Sequence, residues 1–325
     1  MIQIEGQPLQ GYRFIDLFCG IGGFHLALES FGAECVFASD IDENAKKVYE
    51  QNFRFRPAGD ITNIRVEDIP EHDIICAGFP CQPFSISGKK HGFKDKKRGN
   101  LFYNVVKIAR FHRPSFIILE NVKNFENHNN GRTMIRVRES LNGIGYTIYS
   151  KVLCATDYGV PQARKRIYII AFRNDLKINE FNFPEPLGYF NTLHDILIDE
   201  NQNEIPGNYI VDRDDLVYNE IDTVATNTLK RIGNKGLGRQ GERIYSIHGQ
   251  ATTLSSQGGG IAGKTGMYLI NNTIRKLYPR ECAKLMGFPN EFHLANSQEQ
   301  CYRQFGNSVV VDVLQYIIIN IINVL

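Results

Sequence analysis

Phe14-Ile15-Asp16-Leu17-Phe18-Cys19-Gly20-Ile21-Gly22-Gly23-Phe24 reads as a strand, a glycine turn and the start of a helix. Glycines there let a ligand approach the backbone at the carboxyl end of a first strand. The spacing is not G-x-G-x-x-G, so a dinucleotide fingerprint is not met. Downstream, Cys35-Val36-Phe37-Ala38 reads as a second strand and Glu43 to Asn52 as a second helix. Strand signals recur at Ile74 to Ala77, Ser115 to Leu119 and Arg166 to Phe172. Helical signals fall at Asn104 to Phe111 and Arg132 to Leu141. Strands separated by helices predict an α/β fold, a parallel sheet covered on both faces.

An acid follows the second strand at Asp40, placed to hold ribose hydroxyls. Asp60, in Gly59-Asp60-Ile61, is placed to accept from an adenine amino group. A ribose carboxylate beside a short glycine turn suits an adenosyl group without a pyrophosphate, and S-adenosylmethionine is the candidate. The segment alone also fits a structural β-turn-α with no ligand.

The second informative run is Gly78-Phe79-Pro80-Cys81-Gln82-Pro83-Phe84-Ser85, directly after a strand. Proline fixes φ and donates no backbone hydrogen bond, so two prolines around one cysteine make a stiff turn that presents the thiol. The alternative is a small buried hydrophobe, the usual state of a free cysteine. Ligands in open α/β sheets bind at the carboxyl ends of strands. Cys81 and Glu120 both sit at such ends, and Arg166 opens a strand that brings a cation to the same edge. The chemistry that a thiol, a carboxyl, a guanidinium and a methyl donor could perform together is methylation of cytosine: carbon 5 is a poor nucleophile, and thiolate addition at carbon 6 would let it attack a sulfonium methyl. A protonated Glu120 at N3 relieves the charge that builds on the ring, and a dry pocket raises its pKa. A guanidinium holds the carbonyl O2. An unassisted cysteine, with pKa about 8.5, is only slightly ionised at neutral pH, so neighbouring cations help.

The chain has 325 residues, enough for one large domain and a smaller one, with 42% hydrophobic and 22% charged residues. Its seven cysteines include no Cys-x-x-Cys pair, which argues against a disulfide framework and a zinc site and fits a reducing cytosol. The first residues have neither a basic stretch nor an apolar core and predict no signal peptide. The apolar run Val309 to Leu325 is broken by Asp312, Gln315, Asn320 and Asn323, which predicts a core helix and not a membrane span. Asn307 to Leu325 carries a strong helical pattern with Val309, Val313, Ile317 and Ile321 on one stripe, and this helix is expected to return to the first domain. Net charge is only +2, but Lys89 to Arg98 holds six Lys/Arg against Asp95, and Lys230 to Arg243 is basic and glycine-rich. Either is a solvated loop when taken alone. A basic loop eight residues past a candidate nucleophile suggests a polyanionic substrate.

Six motifs run through the chain in one order: Asp16 to Gly23, Gly78 to Ser85, Glu120-Asn121-Val122, Gln162-Ala163-Arg164-Lys165-Arg166, Arg280-Glu281-Cys282-Ala283 and Gln304-Phe305-Gly306-Asn307-Ser308-Val309. On these the chain resembles the bacterial DNA (cytosine-5) methyltransferases. The resemblance implies a Rossmann-like, S-adenosylmethionine-dependent domain from residues 1–195 and 307–325. It also implies a small, mostly irregular or β target-recognition domain over 196–278, a hinge over 279–306, and a cleft for double-stranded DNA. It makes Cys81 the nucleophile, puts Glu120 at N3 and assigns Arg164 and Arg166 to the cytosine pocket. Phe18, Gly20, Ile21, Gly23, Asp40, Ile41, Asp60, Ile61, Pro80, Leu101, Asn307, Ser308 and Val309 fall on its cofactor positions. The product would be S-adenosylhomocysteine.

The target carbon is inaccessible in a stacked duplex, so the base is expected to flip out. DNA contacts are expected from Ser87, Lys89, Arg98, Gln240, Arg243, Gly258 and Gly260. Ser87 and Gln240 match residues that fill the vacated space, and Arg243 suits a guanine edge. The implied target is 5′-GCGC-3′ with the inner cytosine modified. Two positions depart from a close member's pattern: Ile41 stands where that member stacks a Trp on the adenine, and Gln257 replaces a Tyr. One enzyme acting on one flipped base needs no dimer, so a cytoplasmic monomer is expected, and the resemblance implies a cognate restriction endonuclease acting on the same site. Rival readings are a tRNA cytosine-5 methyltransferase on the same fold, a non-catalytic DNA-binding module, and a nicotinamide dehydrogenase. The recognition region argues against the first, the retained thiol and Glu120 against the second, and the missing dinucleotide fingerprint against the third.

Overall fold

The opening stretch folds as read. Strand β1 (Arg13–Leu17) runs into the glycine turn, and α1 (Gly23–Glu29) starts at its last glycine. The computed structural model describes residues 6–80, 101–198, 207–219 and 223–325, with Gln240 described by its backbone only. Cys81, Ser87, Lys89 and Arg98 lie outside the described residues.

After α1 come β2 (Glu34–Ser39), α2 (Glu43–Phe53), β3 (Ile74–Ala77), α3 (Phe102–His112), β4 (Phe116–Val122) and α4 (Arg132–Asn142). Two strands close this region, β5 (Tyr146–Cys154) and β6 (Lys165–Arg173). Among the described residues they form one sheet in the order β2-β1-β3-β4-β6-β5. Side chains alternate across it. Phe14, Ile74, Cys76, Phe116 and Ile118 pack into a core shared with α1. Ile15, Leu17, Ile75, Ala77, Ile117 and Leu119 pack into a second core with α3 and α4. Burial on both faces is why these strands read as continuous apolar runs.

The sheet is not parallel throughout. β1, β2, β3 and β4 pair in parallel, but β6 pairs antiparallel with both β4 and β5. Strand β5 escaped the sequence reading because it lies at the sheet edge and is half exposed. The alternating exposure of Tyr146, Thr147 and Ile148 was its available signal.

The second region holds β7 (Leu216–Tyr218), β8 (Arg231–Lys235), β9 (Arg243–Ser246), β10 (Met267–Ile270) and β11 (Thr273–Lys276). They form a sheet ordered β11-β10-β9-β8-β7, as expected of a β-rich segment. One face covers a small cluster that includes Ile232, Ile244, Met267 and Ile274. The other face is not independent: Tyr245, Tyr268 and Ile270 join the core of the first sheet.

Three helices complete the chain: α5 (Pro279–Lys284), α6 (Gln298–Asn307) and α7 (Val311–Ile322). Val313, Ile317 and Ile321 are buried on one stripe of α7, so this apolar segment is a core helix. The helix begins at Val311 and not at Asn307. Ser308 is extended, and Val309 lies in the break between α6 and α7, facing the glycine turn. A Cβ on Gly23 would meet Val309 Cγ2 at 2.6 Å, so the two segments touch only because residue 23 is glycine.

The Arg280-Glu281 motif has a structural role. Arg275 on β11 grips Glu281 on α5 through two bonds of 2.8 Å, with both side chains buried. Glu281 also accepts from Tyr278 N at 2.7 Å, which caps α5. Removing one partner of a buried pair leaves an uncompensated charge, at about 3–5 kcal/mol. A Glu281→Gln variant should therefore lose stability on that scale in denaturant unfolding. A loss below about 1 kcal/mol would show that the pair is dispensable.

Candidate active site

One cavity of 980 Å³ lies at the carboxyl edge of the parallel strands, and all thirteen expected cofactor positions line it. The glycine turn contributes Phe18, Gly20, Ile21 and Gly23, and the end of β2 contributes Asp40 and Ile41. Asp60, Ile61, Pro80 and Leu101 come from loops, and Asn307, Ser308 and Val309 from the break before α7. Phe18 has φ 57, a left-handed conformation costing a non-glycine residue about 1–3 kcal/mol. That strain turns the chain sharply out of β1 at the cavity wall.

Asp40 is positioned by the backbone. Its Oδ2 accepts from Gly20 N at 2.8 Å and its Oδ1 from Asp42 N at 2.8 Å. Each oxygen keeps acceptor capacity for a ligand hydroxyl. Burial raises its pKa, and the two backbone N–H groups oppose that. Asp60 Oδ1 is held by Thr62 N at 2.9 Å and Thr62 Oγ1 at 2.8 Å. Ile41 is 76% exposed, so its apolar side chain covers almost nothing within the protein. Behind the turn, Asp16 is fully buried, and neither carboxyl oxygen has a hydrogen-bond partner among the described residues. Burial first, then the Asp40 charge, pushes its pKa well up, and the backbone of His25 opposes the rise.

The other pole of the cavity is Glu120. It lies within β4, opposite Tyr168 of β6, with its side chain buried. Arg166 Nε stands 3.0 Å from Glu120 Oε1. Burial raises the Glu120 pKa, and the charges of Arg166 and Arg164 oppose the rise. The antiparallel course of β6 decides this meeting. A parallel strand would start at the opposite edge of the sheet, whereas here Arg166 pairs with Val122 at the carboxyl end of β4.

Arg164 lines the same cavity but binds the protein itself. It donates to Leu254 O at 3.1 Å, Gly306 O at 3.0 Å and Ser308 O at 2.6 Å. Burial lowers its pKa to about 9. It thus ties the start of β6 to the loop before β10 and to the break after α6. Gln162 reinforces this junction, donating to Leu285 O at 3.1 Å and accepting from Leu254 N at 3.1 Å.

Several residues at the site were not singled out in the sequence. Asn121 donates to Phe79 O at 2.8 Å, which fixes the backbone two residues before Cys81. Phe79 packs between Phe102 and Phe125, at centroid distances of 5.7 and 5.4 Å. Thr253 to Ser256 line the cavity, as do Arg303 and Asp42, which pair at 3.1 Å. Asn121 lay inside a recognised motif, and its partner was hidden because the contact spans 42 residues. The threonine and serine run carried no signal.

The expected DNA-contact residues that are described do not line this cavity. The backbone of Gln240 lies in a short turn, and Arg243 opens β9 with Nε donating to Gly238 O at 3.0 Å. A side chain on Gly258 would collide with the Gly263 backbone. That glycine is therefore required by loop–loop packing, whatever else the loops approach.

A family model described as C-5 cytosine-specific DNA methylase matches residues 12–323. The chain is 52% identical to the Type II methyltransferase M.HhaI of Haemophilus parahaemolyticus, over 99% of this chain and 97% of that protein. It is 39% identical to the Type II methyltransferase M.HaeII of Haemophilus aegyptius, over 97% and 94%. Among solved structures, the S. pombe Dnmt2 methyltransferase superposes with TM-score 0.70 at 23% identity, covering 96% of this chain and 98% of that one. A putative DNA modification methyltransferase from E. coli gives 0.71 at 21%, covering 96% and 99%. The solved structures share the fold, and the match over residues 12–323 together with the 52% identity over 99% of the chain shows that the chain belongs to the C-5 cytosine-specific DNA methylase family.

Proposed function

We propose that this chain transfers a methyl group from S-adenosylmethionine to carbon 5 of a cytosine flipped out of duplex DNA, with Cys81 as nucleophile. The observation that carries the reading is a convergence. A buried Glu120 with a raised pKa shares one cavity with every expected cofactor position, and Pro80 in its wall leads directly to Cys81. The donor set fits an adenosyl ligand: a carboxylate with unused acceptor capacity at Asp40, a second at Asp60, and a cavity of drug-ligand size. When bound, the cofactor supplies an electrophilic methyl on a sulfonium.

The protein's own groups do the rest. The Cys81 thiolate forms a bond to carbon 6 of the cytosine. The ring's electron pair shifts to carbon 5, which takes the methyl as the methyl–sulfur bond breaks and its electron pair stays with the sulfur. Protonated Glu120 donates to N3 and holds the charge that builds there. Arg166 steadies Glu120 and faces O2. Loss of the carbon 5 proton to a base then expels the Cys81 thiolate and restores the ring. Arg164 holds the pocket wall.

The same reading divides the chain into a catalytic part over 1–195 and 307–325, a target reader over 196–278 and a hinge over 279–306. The two sheets support this division, although they share one core. DNA contacts come from Ser87, Lys89, Arg98, Gln240, Arg243, Gly258 and Gly260. The enzyme acts as a cytoplasmic monomer, and a cognate endonuclease cuts the same site when unmodified. The 52% identity to M.HhaI supports 5′-GCGC-3′ as the target, with the inner cytosine modified. Bisulfite sequencing of a plasmid carried in an expressing host should show protection of that cytosine alone. Protection in another palindrome would refute the site while leaving the chemistry standing.

A further inference from the structure

We propose that Leu237 is an apolar wedge that enters the base stack of duplex DNA and lowers the cost of extruding the target cytosine. The proposal rests on the DNA-methylating function above and names a residue which that reading does not use. Leu237 is 85% exposed, the highest value among the large hydrophobic side chains described as exposed. A single exposed leucine is ordinary. This one is held in place. It sits between Gly236 and Gly238, both in the left-handed region at φ 51 and 66. Gly238 N donates to Lys235 O at 3.0 Å, closing the turn. Asn234 Nδ2 donates to Gly236 O at 3.0 Å, and Arg231 Nη2 in turn donates to Asn234 Oδ1 at 3.0 Å. Arg243 Nε donates to Gly238 O from the other side. The tip is therefore braced before any ligand arrives, which reduces the ordering cost of binding.

Charge identifies the occupant. Lys230, Arg231, Lys235, Arg239 and Arg243 flank the tip along the chain, against Glu242 in the same run, and Asp215 on the neighbouring strand takes up Lys235 at 3.3 Å, which leaves the loop with a net positive charge. A collar of cations suits a phosphate backbone, but a loop that read only phosphates would carry a cation at its tip. An apolar tip inside a basic collar suits the base stack, where leucine wedges separate adjacent steps.

The test measures binding of Leu237→Ala and Leu237→Met to two duplexes that contain the mapped methylation site. In one the target cytosine is paired, and in the other it is mismatched with adenine. A mismatched base is cheaper to extrude. Leu237→Ala should bind the paired duplex about tenfold more weakly, the scale of one leucine side chain leaving an apolar site, and should recover most of that loss on the mismatched duplex. Leu237→Met should stay close to wild type on both. Thermal melting should be unchanged, since the side chain packs on little in the free protein. Equal affinity of wild type and Leu237→Ala on the paired duplex would overturn the wedge, and so would an equal loss on both duplexes. If the wild-type protein methylates no DNA, the parent function fails and the wedge falls with it. If it methylates DNA and the variants behave alike, only the wedge fails.

Discussion

Replacing Cys81 by Ser should reduce methyl transfer by roughly 10⁴- to 10⁶-fold, the scale seen when a nucleophile that acts with its partners is removed. A serine hydroxyl is far less acidic than a thiol, so its anion is scarce at neutral pH, and addition to carbon 6 stops. Binding of S-adenosylmethionine, measured by calorimetry, should be unchanged, because most of its proposed positions lie on the glycine turn, the end of β2 and the break before α7, and Pro80 beside Cys81 is retained. The wild-type protein should form a covalent adduct with duplex DNA carrying 5-fluorocytosine at the target, since fluorine cannot leave as a proton does. The serine variant should form none. Near-normal turnover in Cys81→Ser would remove the thiol from the mechanism.

The second large effect is at Glu120. Glu120→Gln should lower the methylation rate by about 10²–10⁴, the range for a positioned general acid, with little change in cofactor affinity. The sign of the pH dependence follows from the raised pKa. A raised pKa keeps the proton on Glu120 at pH values where a free carboxyl has lost it. The wild-type rate should therefore fall as pH rises through that raised value, and the Gln variant should lack this limb. Stability moves in the same direction. A carboxyl with a raised folded pKa gives its full contribution below the unfolded pKa, about 4.3, and loses it as pH rises toward the folded value. Glu120→Gln lacks that pH dependence, so its melting temperature should fall less than that of wild type as pH rises from about 4 to 8. Lost activity in a protein that melts at or above the wild-type temperature would then report chemistry and not unfolding. A variant that keeps full activity and the same pH limb would exclude Glu120 from proton donation.

Local signals carried the elements of the first sheet. Apolar runs at Ile15, Ile75 and Ile117 marked buried strands, because a strand covered on both faces cannot alternate. The glycine turn and Asp40 were legible because a sharp turn out of a strand needs glycine and an acid directly after a strand stands out by residue type. The same local reasoning failed on strand direction, since direction depends on the path of the connecting chain. It also ran α7 back to Asn307, because valines fit a helical stripe and an extended wall equally well.

By itself the sequence determined the α/β class, the order of motifs, the family and the identities of the candidate chemical groups, since each rests on residue type and short spacing. Only the tertiary structure decided what those groups touch. The antiparallel β6 brings Arg166 to 3.0 Å from Glu120. Burial keeps the Glu120 pKa high. Arg164 reaches carbonyls 90, 142 and 144 residues away and so becomes a strut of the pocket wall. Distance in space, desolvation and hydrogen-bond geometry arise when remote segments pack, and no local stretch of chain encodes them.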